Sequence, residues 1–264
     1  MFRYWWQIAC VSLLLLSGCA TLVPPPGSGP VAPSAGTTEP RESWARVLQR
    51  YVDGEGRVDF AGLSRDRADL DRYVAWIYTT GPNNHPELFP TRQHVLAYHL
   101  NAYNSLAMYA VLDDGIPQSL AGSKKVSFFF FKRFQVGGKS YSLHAYENDV
   151  IRALGEPRVH FALNCMSVGC PRLPREPFAG EQLEAQLEQE TRYFFSEARN
   201  VMVGDVDRTV HFSEILDFYT KDFLAVAPTL IAYANRYRAT TIPEGYTVKI
   251  VPYDWTINRQ PAKP

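Results

Sequence analysis

The run from Arg158 to Pro171 sets a histidine and two cysteines, His160, Cys165 and Cys170, among apolar and small residues. Three chemistries suit that set. A thiolate at Cys165, its pKa lowered by an imidazole, is a nucleophile for hydrolysis or group transfer, with Asn164 or backbone amides placed to stabilise an oxyanion. A disulfide between Cys165 and Cys170 would instead close a short loop and stabilise the fold by about 2 kcal/mol on the loop-entropy model. A metal site built from His160, Cys165 and Cys170 fits least well, because the gaps between successive residues match no common zinc pattern. No metal and no other cofactor is expected.

Spacing constrains the nucleophile. If 158–165 is extended throughout, His160 and Cys165 point to opposite faces, because an odd separation along a strand changes face. Either the strand ends or bulges before Cys165, or the base comes from elsewhere, with His144 as the replacement. Glu147 completes the candidate catalytic set of Cys165, His160, His144 and Glu147. A carboxylate in the first turn of the helix that follows Ser142 or His144 also suits the helix dipole without any catalytic role.

The elements that must hold these groups follow from periodicity and caps. Trp44, Val47, Leu48 and Tyr51 recur at helical spacing over 42–52. Ser64 is a candidate cap for a helix with Leu70, Tyr73, Val74 and Ile77 on its buried stripe, ended by Gly81-Pro82. Thr91 can cap a helix over 94–112 whose apolar residues cover nearly the whole circumference, which makes it a central one. Asn101 and Asn104 on that helix either satisfy loop backbone or, with Asn164, line a pocket; a buried carboxamide without partners costs about 1–3 kcal/mol. His94 and His99 are expected at a surface or interface.

Ser127 to Phe131 is expected as a buried strand. Phe134 to Leu143 forms a hairpin about Gly137-Gly138, which supply the positive φ that a tight reversal needs. A second hairpin is expected about Gly204-Asp205, followed by helices near 214–219 and 228–238 and a strand over 246–251. Helices interrupted by hairpins, without regular strand–helix alternation, define an α+β fold: a central apolar helix on a small mixed or antiparallel sheet, with flanking helices.

The first twenty residues give the address. Arg3, an apolar run to Leu16 and then Leu16-Ser17-Gly18-Cys19 read as an export leader with small residues at the cleavage point. The tetrapeptide resembles the bacterial lipobox, which implies cleavage after residue 18 and acylation of Cys19, with the membrane as partner. Ala20 after the cysteine implies the outer membrane, facing the periplasm. Residues 19–40, rich in Pro and Gly, are expected to be a disordered tether reaching up to about 60 Å, and 41–264 a single globular domain. Of four cysteines, Cys10 leaves with the leader and Cys19 is acylated, so Cys165 and Cys170 remain in an oxidising compartment. The chain of 264 residues balances 27 basic against 27 acidic side chains, and losing Arg3 leaves 26 against 27. A near-neutral surface excludes nucleic acid as a partner, since its binding rests on phosphate neutralisation. A peptide or small-molecule ligand is left unnamed.

Leu100-Asn101-Ala102-Tyr103-Asn104, the helix with Glu147, His160-Phe161-Ala162-Leu163 with Cys165, Phe218-Tyr219 with Asp222-Phe223, and Tyr253-Asp254-Trp255 with Asn258 together resemble the uncharacterised family called domain of unknown function 547. The resemblance implies no settled activity. Asn148 follows Glu147 where many members carry a histidine.

Overall fold

The computed structural model describes residues 20–24 and 40–261; the leader, Cys10, Cys19 and most of the expected tether lie outside them. The fold is α+β, with ten helices and two small three-stranded mixed sheets among the described residues. Strand β1 (Thr21–Leu22) precedes helices α1 (Arg41–Tyr51), α2 (Phe60–Arg65), α3 (Ala68–Thr79) and α4 (Arg92–Asp113). Ser64 does not cap the helix that carries Leu70 and Tyr73: it lies inside α2, which Asp59 caps by accepting from Gly62 N at 2.8 Å, and α3 begins after Arg67 with no side-chain cap. Trp44 of α1 stacks on Tyr73 of α3 with centroids 5.7 Å apart. Thr91 caps α4 as expected, and every residue from Leu96 to Leu112 is buried, so α4 forms the axis of the larger core.

A short helix α5 (Ser123–Val126) runs directly into a π-helical turn over Ser127–Phe131. That corrects the expected strand: four consecutive phenylalanines carry no period, and a helical path buries Phe128 while leaving Phe130 and Phe131 outside. Strands β2 (Lys132–Val136) and β3 (Lys139–Tyr141) then pair antiparallel about Gly137-Gly138. Both glycines have positive φ, and their amides donate to the carbonyls of Ile77 and Tyr78 at the end of α3. β1 pairs parallel with β2, Thr21 opposite Lys132; Val23 is buried, and Tyr78 Oη donates to its carbonyl at 2.7 Å. The expected tether is therefore docked at its first residues.

Ser142 caps helix α6 (Leu143–Ala145), which continues as a π turn to Ile151 and a 3-10 turn to Leu154. The expected strand at His160 is a 3-10 turn, Pro157–Phe161, begun by Pro157 and held by Glu156, whose side chain accepts from Arg158 N. Because the segment is not extended, the opposite-face argument does not apply to His160 and Cys165. Helix α7 (Leu183–Ser196) leads to a second sheet in the order β4-β5-β6. In it β4 (Val201–Gly204) and β5 (Thr209–Ser213) are antiparallel, and β6 (Thr247–Val251) lies parallel to β5. Between β5 and β6 come α8 (Ile215–Phe218), α9 (Thr220–Leu224) and α10 (Leu230–Asn235). This half has its own aromatic core of Phe161, Phe194, Phe195, Phe212, Phe223 and Tyr233. Val159 and Ala162 pack into the larger core and Phe161 into the smaller one, so the turn that bears His160 joins the two.

His99, expected at a surface or interface, is buried where α4 meets Tyr146, with its Nδ1 2.7 Å from Tyr146 Oη, and burial lowers its pKa to about 4. A histidine whose folded pKa lies below its unfolded value contributes stability that is full above about 6.5 and lost as pH falls toward the folded value. Denaturation measured from pH 7 to pH 4 should therefore lose up to about 3 kcal/mol through this group, and His99→Phe should flatten that part of the profile. An equally steep acid limb in the variant would show that the loss arises elsewhere.

Candidate active site

The segment 162–171 is fastened to α4 by carboxamides. Asn104 Nδ2 donates to Ala162 O at 3.0 Å, and its Oδ1 accepts from Asn164 N at 2.8 Å. Asn164 in turn spans its own loop, donating to Pro171 O at 2.7 Å and accepting from Met166 N at 2.7 Å. Asn101 holds Phe178 by both backbone groups at 2.9 Å. None of the three lines the cavity described below; each satisfies loop backbone, the other of the two roles open from the sequence. Met166, fully buried, has φ of 72°, an unusual conformation for a residue with a side chain. Its carbonyl is held by Asn258 N at 2.9 Å.

That loop brings the sulfurs of Cys165 and Cys170 to 2.7 Å, closer than unbonded sulfurs pack, with no bond recorded between them. Cys165 N donates to Cys170 Sγ at 3.0 Å, and Tyr253 Oη lies 3.2 Å from Cys165 Sγ and 2.8 Å from Cys170 Sγ. Burial opposes a charge on Cys165, but hydrogen bonds from Cys170, Tyr253 and Ser167 outweigh it and lower the thiol to about 7. Burial, with the hydrogen bond to Cys165 and the charge there, pushes Cys170 the other way.

The thiols share a cavity of about 80 Å³ with Tyr103, Glu147, His160 and Tyr219, and Phe129, Phe218 and Trp255 also line it. Glu147 is buried and accepts from two phenols, Tyr103 Oη at 3.1 Å and Tyr219 Oη. Burial, with the Glu147 charge, raises both phenols and keeps them as donors. His160 stacks on Tyr219 with centroids 3.7 Å apart, and its Nε2 lies 2.8 Å from Asp222 Oδ2. Arg152 grips both oxygens of Asp222 at 2.8 Å. These two partners hold the Asp222 carboxyl far below the usual range, so an ionised carboxylate accepts from Nε2–H. Burial lowers the His160 pKa despite that acceptor, and its Nδ1 is buried with no hydrogen-bond partner among the described residues. A neutral ring with a carboxylate on one nitrogen and an open lone pair on the other is the form a general base takes.

His144 is not part of this arrangement. It is exposed, packs on Phe130 with centroids 4.3 Å apart, and meets Asn148. Asn148 turns its oxygen to Arg152, so it supports the arginine that fixes Asp222. Asp222, Tyr219 and Tyr253 carry much of the site. Their only sequence signal was membership of the resemblance pattern, since they lie 59 or more positions from the site groups they touch. Among the described residues no three His, Cys, Asp or Glu side chains group as a metal site.

Residues 88–195 match the family model described as "Protein of unknown function, DUF547". The match includes Glu147, His160, Cys165 and Cys170 and stops short of Tyr219, Asp222 and Tyr253. No curated protein and no solved structure matches the chain.

Gly169 sets the distance between the loop and the tyrosine: a Cβ there would lie 2.9 Å from the Tyr253 ring and from Asp254 N. Gly169→Ala should push Tyr253 off the sulfurs and remove a donor from the thiolate. The expected result is a midpoint for Cys165 alkylation about one pH unit higher than in the wild type. An unchanged midpoint would show that Tyr253 does not tune the thiol.

Proposed function

We propose that this chain is a lipid-anchored protein of the bacterial envelope, held through Cys19 and facing the periplasm, with a thiol-dependent hydrolase or transferase site. One observation carries the catalytic part: the Cys165 thiol, lowered to about 7, lines one cavity with an Asp222-oriented His160 and a Glu147 held by two phenols. A purely structural pair of cysteines requires neither the cavity nor the oriented imidazole. In the proposed reaction Cys165 Sγ bonds to an acyl carbon and the carbonyl electron pair moves to oxygen, where the Tyr253 hydroxyl can donate. His160 Nδ1 can take the Cys165 thiol proton as the sulfur attacks and give it to the leaving group, which departs with the electron pair of its bond to the acyl carbon. Water or an acceptor nucleophile then bonds to that carbon, giving its proton to His160, and the carbon–sulfur bond breaks to return the Cys165 thiolate. The cavity is smaller than the roughly 300–1,000 Å³ that enclose a whole ligand, so it would take an end group.

The 2.7 Å between sulfurs favours a second reading, in which a Cys165–Cys170 disulfide is a staple in a binding or scaffold module. An electrophilic thiol probe separates the two. After mild reduction, peptide mapping should find the label on Cys165; a reduced protein that takes no label on either cysteine supports the staple alone.

A further inference from the structure

The nine residues Ser123–Phe131 form one continuous helical stretch, α5 and its π turn, against the cavity. Val126, Phe130 and Phe131, spaced by four and five, share a face and are 45%, 44% and 43% exposed. Lys124 and Lys125 precede them, and Lys125 Nζ stands 4.0 Å over the Trp255 ring beside the cavity. Phe129, between these residues, lines the cavity itself. Thr21 pairs with Lys132, the residue directly after Phe131, and Leu22 beyond it is exposed. Cys19 is two residues from Thr21, within about 7 Å along the chain. The Pro- and Gly-rich segment thus joins two fixed points, Pro24 and Pro40, and does not separate Cys19 from the domain.

From this we infer that the Val126–Phe131 face is a bilayer-docking surface: its phenylalanines enter the interface, Lys124 and Lys125 meet anionic headgroups, and the cavity mouth lies at the lipid surface. Exposed aromatics beside lysines are the make-up of interfacial segments. The occupant is a membrane because the chain enters β1 from the acylation point at this edge, and because the two charges that precede the apolar face in the chain, Lys124 and Lys125, are positive while Asp113 and Asp114 beyond it are paired with Lys132. The inference rests on the anchoring reading at Cys19 and not on the thiol chemistry.

The test uses the processed full chain in vesicles of phosphatidylethanolamine and phosphatidylglycerol with brominated acyl chains, which quench nearby tryptophan. The domain's tryptophans are Trp44, Trp76 and Trp255, so Trp255→Phe isolates the signal at the cavity mouth. Quenching is expected in the wild type and should vanish with Trp255→Phe. It should fall at least about twofold in Phe130→Ser/Phe131→Ser, whose Cys165 alkylation rate, unchanged, reports an intact fold. The mass of the mature N-terminus separately reports acylation of Cys19, so failure of the anchor and failure of the patch are read apart. Equal quenching in the wild type and the double serine variant would overturn the inference. So would a dimer that depends on Phe130 and Phe131 without vesicles, because a second copy would then cover the face.

Discussion

Cys165→Ser should lower acyl transfer, measured on a panel of activated thioesters and esters, by about a thousandfold or more, the scale seen when a covalent nucleophile is removed. A serine hydroxyl in the same cage of Tyr253, Ser167 and Cys170 does not ionise near neutrality, so neither the cavity nor His160 compensates for it. Cys170→Ser should behave differently. It keeps a hydroxyl donor beside Cys165 and removes the one sulfur among the described residues close enough to bond with it, so activity should persist and become insensitive to oxidants that silence the wild type. Equal losses in the two variants would assign the pair a joint structural role. Full activity in Cys165→Ser would remove the nucleophile from the account.

The second large effect is on stability. Asn104→Leu leaves Ala162 O and Asn164 N, both buried, without their partners. At about 1–3 kcal/mol for each unsatisfied group, the loss should be about 2–6 kcal/mol in urea denaturation. That is a large share of the 5–15 kcal/mol that typically holds a domain. The reactive loop hangs from these two bonds, so Cys170 should also become open to alkylation in the variant. A loss below about 1 kcal/mol would show that the loop is held by its sulfur and Asn164 contacts instead.

The central helix, its Thr91 cap, the Gly137-Gly138 reversal and the Ser142 cap were readable because each depends on neighbours a few residues away. Ser127–Phe131 and Pro157–Phe161 were not, since short apolar runs bury equally well as strands or as tight helical turns and only the surrounding core decides. Cys165, Cys170, His160 and Glu147 could be selected by residue type, and the structure brings them to one cavity. What the imidazole does could not be read, because Asp222 reaches it from 62 positions along the chain and Arg152 acts on it only through Asp222. For the buried asparagines the sequence left both roles open, loop backbone and pocket lining. A carboxamide that pairs with a loop backbone and one that faces a ligand have the same composition and spacing.

The most direct measurement is the rate of Cys165 alkylation against pH in the reduced wild type. An inflection near 7, lost in Cys165→Ser and shifted upward by Tyr253→Phe, is the expected result, since the thiolate reacts and Tyr253 is one of its donors. An inflection at or above the ordinary thiol value of about 8.5, or no alkylation of Cys165 once the pair is reduced, would contradict the claim that this sulfur is an ionised, reachable nucleophile.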